Sequence, residues 1–152
     1  MFFSSLSKLK SFTYYFCEDL SKNPNSNFYR IYSRTITDMI FGRKTYVGGI
    51  DIIKENDHVK IEHFCANDSE YAKTVGKSEH LNKGDATKVY DHLLTCAESV
   101  AKQNGLTKIK IDVHSNLRRY DDLLKGMGFN LTDKRCLDNP FWIESEKVLA
   151  RA

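Results

Sequence analysis

No CxxC pair, no long apolar run, no block of like charge and no internal repeat occurs in this sequence of 152 residues. Each absence excludes something. The four cysteines, Cys17, Cys65, Cys96 and Cys136, stand far apart. Neither a metal-ligand spacing nor a thiol-redox motif is therefore present, and the reading is of buried free thiols in a reducing compartment. Nothing reaches the roughly 20 apolar residues that a membrane-crossing helix needs. At the start, "MFFSSLSKLKSF" places Lys8 and Lys10 inside what would have to be the apolar core of a signal peptide. That argues against export and for a cytoplasmic protein. With 23 basic and 20 acidic side chains the formal charge is +3, and the small clusters "NLRRY" and "KGDATK" build no basic face of the kind nucleic acid requires.

What the sequence does have is 41% hydrophobic and 12% aromatic residues, enough to bury a core in a single domain, residues 1–152. Phe2, Leu6, Leu9, Thr13, Phe16 and Leu20 recur at spacings of three and four, which predicts a first helix, packed on the core or lying at a membrane surface. "KNPNSN" breaks that pattern. "FYRIYSRTI" (Phe28 to Ile36) reads as a strand. "KTYVGGIDIIKEND" and "HVKIEHFCA" read as a β-hairpin, with Val59, Ile61, His63 and Cys65 alternating against Lys60, Glu62 and Phe64. Residues 67–82 carry no period and read as a loop. From Ala86 to Asn104, Val89, Leu93, Leu94, Ala97, Val100 and Ala101 repeat at helical spacing, with Gly105 where a C-terminal cap belongs. "KIKIDVH" is a predicted strand, "NLRRYDDLLKGM" a helix, and "FWIESEKVL" a final strand. The alternation gives an α/β chain with helices against one sheet.

The most specific stretch is "LNKGDATKVY". It sets Gly84 and Ala86 at the mouth of the long helix, where two small residues allow a close approach to the backbone. A phosphate, a neighbouring strand or a simple helix cap, with Asp85 satisfying its own first turn, would each suit that arrangement.

Taken in order, Gly84-x-Ala86, the helix through Asn104, Gly105, the strand "KIKIDV", Asn116 and the pair Gly128-Phe129 resemble the GNAT (GCN5-related) N-acetyltransferases. The similarity is strongest over residues 81–130, and the hairpin "YVGGIDII…VKIEHF" is similar to the family's third and fourth strands. The resemblance implies a single mixed, mostly antiparallel sheet, flanked by helices, whose two central strands splay apart. It implies acetyl-CoA as acyl donor, its diphosphate on the amides of Asn82, Lys83, Gly84, Asp85, Ala86 and Thr87, and Asn116 against the cofactor arm. The acceptor would be an amine, on a small molecule or a protein. Two positions depart from the family pattern: Leu81 replaces a Gln or Arg, and Leu124 replaces the tyrosine that serves as general acid. Tyr120, one turn earlier, could substitute. Glu62 on the fourth strand is the candidate base, with His63 and His114 as lesser candidates. A GNAT-fold module that has lost its chemistry and acts through protein contacts is the alternative. The aromatic-rich ends, "FTYYF" and "NPFWI", could pack the core or a homodimer face.

Overall fold

The computed structural model describes residues 2–3, 13–114, 118–136 and 139–150. In chain order the elements are β1 (Phe2–Phe3), β2 (Thr13–Asp19), β3 (Ser26–Thr35), α1 (Ile36–Phe41), β4 (Thr45–Lys54) and β5 (Val59–Ala66). They continue with α2 (Ser69–Thr74), α3 (Lys83–Gln103), β6 (Lys108–His114), α4 (Arg118–Gly126), β7 (Asn130–Cys136) and β8 (Asn139–Val148). The strands form one sheet in the order β1-β2-β3-β4-β5-β6-β8-β7. Every neighbouring pair is antiparallel except β5 and β6, which run parallel. The expected mixed, mostly antiparallel α/β sheet is present. No helix among the described residues is long and apolar enough to cross a membrane.

The first helix predicted from the spacing of Phe2 to Leu20 is not what "TYYFCED" forms. Thr13–Asp19 is a strand, paired residue by residue with β3 from Thr13↔Thr35 to Asp19↔Tyr29. Aromatic and β-branched side chains favour the pleated surface, and here both faces of the strand use them. Tyr15 packs toward the core, while Phe16 stacks on Tyr14 and Tyr32 on the other face. Residues 4–12 of that expected helix lie outside the described residues. Two short helices went unpredicted. In α1, Thr35 Oγ1 accepts from Asp38 N at 3.1 Å and Asp38 Oδ2 accepts from Thr35 N at 3.0 Å, a reciprocal cap. In α2, Asp68 Oδ1 accepts from Tyr71 N at 2.9 Å, turning part of the expected loop 67–82 into a helix.

The long helix α3 behaves as its spacing requires. Ala86, Val89, Leu93, Ala97 and Val100 face Ile50, Ile52, Val59, Ile61, Phe64 and Ile109 in one core. Leu93 and Ile50 are both 0% exposed, and burial of such side chains is worth about 1.5–3 kcal/mol each. The helix comes close to the sheet because Gly48 has no side chain: a Cβ there would lie 2.7 Å from Val89 Cγ1 and 2.8 Å from the Cys65 carbonyl. Both α3 and α4 end on a left-handed glycine. Gly105 lets Leu106 N reach Ala101 O at 2.8 Å, and Gly128 lets Phe129 N reach Leu124 O at 2.9 Å. The second of these caps seats Phe129 (1% exposed) against Leu124 (2% exposed), which is the physical content of the Gly-Phe pair.

The expected alternation along β5 fails at one residue. Asp51 pairs with His63, but the next residue, Ile52, pairs with Ile61. Glu62 is therefore the extra residue of a β-bulge, and the phase of the strand reverses there. Phe64 and Ala66 join Val59 and Ile61 in the core beneath α3. His63 and Cys65 turn to the opposite face.

Candidate active site

β5 and β6 pair only through Val59↔Ile109, Lys60↔Lys110 and Ile61↔Ile111. Beyond that point both strands continue, β5 to Ala66 held by β4 and β6 to His114 held by β8, without pairing to each other. The two central strands thus part, leaving backbone N–H and C=O groups facing an opening. The chain leaving β5 turns beside this opening: Asn67 N donates to Val47 O at 2.6 Å, and Leu81 N donates to Asn67 O at 2.8 Å. These bonds hold the entry to α3 against the end of β5. Asn67 itself is buried, and its Oδ1 has no partner among the described residues. A buried acceptor left unpaired is costly and rare.

At the mouth of α3 the cap is Asn82, not Asp85. Asn82 Oδ1 accepts from Asp85 N at 2.8 Å, and Asn82 Nδ2 donates to Asp85 Oδ2 at 3.1 Å. The first backbone bond of the helix is Ala86 N to Asn82 O at 2.9 Å, so the amides of Lys83 and Gly84 precede the helical ladder. Gly84 is exposed and has ordinary backbone geometry; the nearest atom to a Cβ there would be Asn82 Oδ1, 3.5 Å away. Nothing in the fold requires glycine at this position. Ala86, by contrast, is small because it is buried against the sheet. The Thr87 hydroxyl donates to Lys83 O at 2.9 Å.

On the face of the sheet away from α3, the bulge gathers a second set of groups. Tyr46 Oη lies 3.1 Å from Cys65 Sγ and 3.5 Å from His63 Nε2, and Cys65 Sγ lies 3.2 Å from the same His63 nitrogen. Arg30 pairs with Asp51 at 2.7 Å beside them. Burial pushes the His63 imidazole below its ordinary value; Asp51 opposes this and Arg30 adds to it. His63 is thereby held neutral near pH 7. Burial pushes the Cys65 thiol up, so it is no nucleophile. Tyr46 is also raised, by burial and then by its hydrogen bond to Cys65, and keeps its proton.

No family model matches the chain, and no curated protein matches it in sequence. Its shape does have matches among solved structures. A protein assigned as a streptothricin acetyltransferase of Bacillus anthracis, solved with acetyl coenzyme A, superposes with a TM-score of 0.60 at 15% identity, covering 85% of this chain and 65% of its own. PaiA N-acetyltransferase of Thermoplasma acidophilum, in complex with coenzyme A, gives 0.56 at 17% identity, covering 82% and 61%. A GNAT family acetyltransferase of Elizabethkingia anophelis with acetyl-CoA bound gives 0.58 at 12% identity, covering 89% and 98%. The chain has the GNAT fold. It spans just under two thirds of the length of the first two of these proteins.

Within the GNAT fold, the residues singled out from the sequence fall into three groups. Asn82, Lys83, Gly84, Asp85, Ala86 and Thr87 do form one structural unit, the capped N-terminus of α3. Glu62 is exposed at the bulge and stands next to His63 in the strand, so the predicted opposition of the two across the strand gives way to the bulge. Asn116 lies outside the described residues, and of Tyr120 the structure describes only its place in the first turn of α4. Leu124, where the GNAT pattern has tyrosine, is a core residue. The cluster of Tyr46, His63 and Cys65 was only half legible: the Cys-His spacing was visible in the sequence, but Tyr46 comes from a different strand, and no local pattern points to it. Cys17 corrects the reading of four buried thiols, since it is exposed, whereas Cys65 is buried and Cys96 half-buried. Among the described residues no group of His, Cys, Asp and Glu could hold a metal ion.

Proposed function

We propose that the protein transfers the acetyl group of acetyl-CoA to a primary amine. The observation that carries this reading is the parting of β5 and β6 directly beside the N-terminus of α3. Acetyl-CoA supplies an activated thioester whose carbonyl an amine can attack. The diphosphate fits the mouth of α3, where the amides of Lys83 and Gly84 and the positive end of the helix favour an anion. Lys83 and Lys88 add charge, and the space above Gly84 is open. Asn67 Oδ1 offers a buried acceptor close to the opening, and Asn116 is the proposed contact for the cofactor arm.

An ammonium acceptor must lose a proton before it attacks. Glu62 and His63 are the proton acceptors at the opening. His63 is the better placed, because it is half-buried, neutral and oriented by Tyr46 and Cys65. Glu62 faces water, where solvent does the same work. Tyr120 is the proposed acid toward the leaving thiolate. Names of the similar structures, one for an antibiotic and one for N-acetylation, support an amine-bearing acceptor.

A second reading, a GNAT-fold binding module without chemistry, is favoured by Leu124 in the core and by the Asp85 carboxylate in the first turn of α3. Calorimetric titration separates the two. Acetyl-CoA should bind the wild type in the micromolar range, and Gly84→Glu should abolish binding without unfolding the protein, since that site is open. Absence of binding to folded wild type would sink the acetyltransferase reading.

A further inference from the structure

Among the described residues, the buried side-chain atoms without a hydrogen-bond partner are Arg34 Nε, Asp51 Oδ1 and Asn67 Oδ1. The first two have other company. The Arg34 guanidinium lies 4.9 Å from the Phe16 ring centroid, and Asp51 Oδ1 sits 2.7 Å from Arg30 Nη1. Asn67 has neither. Its carboxamide carries no charge, so no ion pair offsets the burial, and the residue is 7% exposed. An amide oxygen withdrawn from water without a donor costs stability. Proteins accept such a cost at the sites they use.

The backbone around this side chain is fully engaged. Asn67 N donates to Val47 O at 2.6 Å, Asn67 O accepts from Leu81 N at 2.8 Å, and Asp68 N donates to Ala66 O at 2.8 Å. These bonds fix Asn67 at the junction of β4, the end of β5 and the lead into α3. The neighbouring Ala66 and Val47 are apolar and 0% and 2% exposed, so their side chains offer no donor. Beyond Ile61↔Ile111 no pairing with β6 continues along this part of β5. What the junction lacks is an N–H for the carboxamide oxygen.

We propose that Asn67 recognises the arm of the acyl donor, its Oδ1 accepting a hydrogen bond from an amide N–H of coenzyme A. This rests on the acetyl-CoA reading above and gives it a side chain that reads the arm. The arm of coenzyme A carries secondary amides, and each N–H needs an acceptor once it leaves water. The diphosphate and the thioester offer no N–H, so neither can complete the bond. An arm that enters between β5 and β6 from a diphosphate on the amides of Lys83 and Gly84 passes Asn67, because the bond from Leu81 holds that residue beside the helix entry. Asn67 makes and breaks no covalent bond. It fixes how far the arm enters, and so where the thioester carbonyl stands. Stability and binding are thereby separated at one residue: Oδ1 contributes nothing to the free fold and acts only in the complex.

The test uses Asn67→Leu, which keeps the branched shape of the side chain and removes its polar atoms. The free variant should melt at or above the wild-type temperature, since a buried oxygen without a donor is replaced by an apolar group. In calorimetric titration it should bind coenzyme A about tenfold more weakly or worse. The phospho-ADP half of coenzyme A, which has no arm, should bind both proteins equally. In isotopically labelled wild type, the Asn67 side-chain carbonyl carbon resonance should move downfield with coenzyme A and stay in place with the armless half. That measurement decides the matter even if the variant fails to fold. A variant that folds but melts well below the wild type would show that the oxygen already has a donor in the free protein. Unchanged affinity for coenzyme A would show that the arm does not reach it. Either result would overturn the proposal. Wild type that binds coenzyme A regardless of Asn67 leaves the acetyl-CoA reading standing, whereas folded wild type that binds none removes both.

Discussion

At His63, one change of environment bears on both the proposed proton transfer and stability. Its pKa lies below the ordinary value of about 6.5 because burial penalises the imidazolium. The base form therefore persists as the medium acidifies, and acetyl transfer should hold its rate to a pH below 6.5 before an acid limb appears. In a pH–rate profile, His63→Gln should remove that limb and lower kcat by about 10²-fold or more. An unchanged profile would return the proton to water or Glu62. The stability effect has a definite sign. As pH falls through about 6.5 the unfolded chain binds a proton that folded His63 resists. The stability this residue confers is thus complete above that pH and is lost between it and the lower folded value. Urea midpoints at pH 7.5 and 5.5 should show the wild type losing ground to His63→Gln. At this scale, the sequence announced the residues that depend on neighbours in the chain, such as Gly105 and Gly128, but placed the cap of α3 on Asp85 where Asn82 holds it. It was silent about Tyr46 meeting His63, because that contact is made across strands.

Elements were legible where one face of a regular period is buried, and illegible where the period is broken or shared. The helix α3 was readable because eight of its residues, Ala86 to Ala101, are buried along one stripe. β2 was misread because Thr13, Phe16 and Leu20 continue a spacing of three and four from the residues before them, and a strand with large side chains on both faces supplies such a spacing by chance. α1 escaped notice because it buries none of its residues, leaving Ile40 at 73% and Phe41 at 68% exposure. The bulge in β5 is the element-level event with the largest consequence, since a one-residue shift moves every later side chain to the other face. Deleting Glu62 should remove the bulge by making Ile61 and His63 consecutive, with Phe64 kept in its 5.0 Å ring contact with Tyr90 and His63 and Cys65 still on the opposite face. The deletion variant should therefore fold and give a cooperative melt by circular dichroism, and Glu62→Ala should melt near the wild-type temperature. A deletion variant that is unfolded or molten would show that Glu62 does more than add an unpaired residue to the strand.

For the molecule as a whole, the order of elements from the long helix to Gly-Phe carried the architecture, and the parted strands carry the proposed site. A ligand seated between β5 and β6 would bridge groups that the sheet leaves unpaired, and it should stabilise the fold by mass action. At 100 times its dissociation constant, acetyl-CoA should contribute about 2.7 kcal/mol, a rise in melting temperature of roughly 5–10 °C for a chain of this size; Gly84→Glu should show no rise. The same seam also sets an order in time. β2 to β5 are successive antiparallel neighbours, and β6, β8 and β7 form a second local group. The pairing of Val59 with Ile109 closes a loop of about 50 residues, at about 3.5 kcal/mol of chain entropy against about 1.2 for the four-residue turn that joins β4 to β5. Folding should then proceed as two strand groups that form separately and dock last, with pulse-labelled amides in β4 and β5 protected before those of Ile109 to Ile111. The cleft proposed to take the acetyl donor is, in kinetic terms, the last joint of the protein to close.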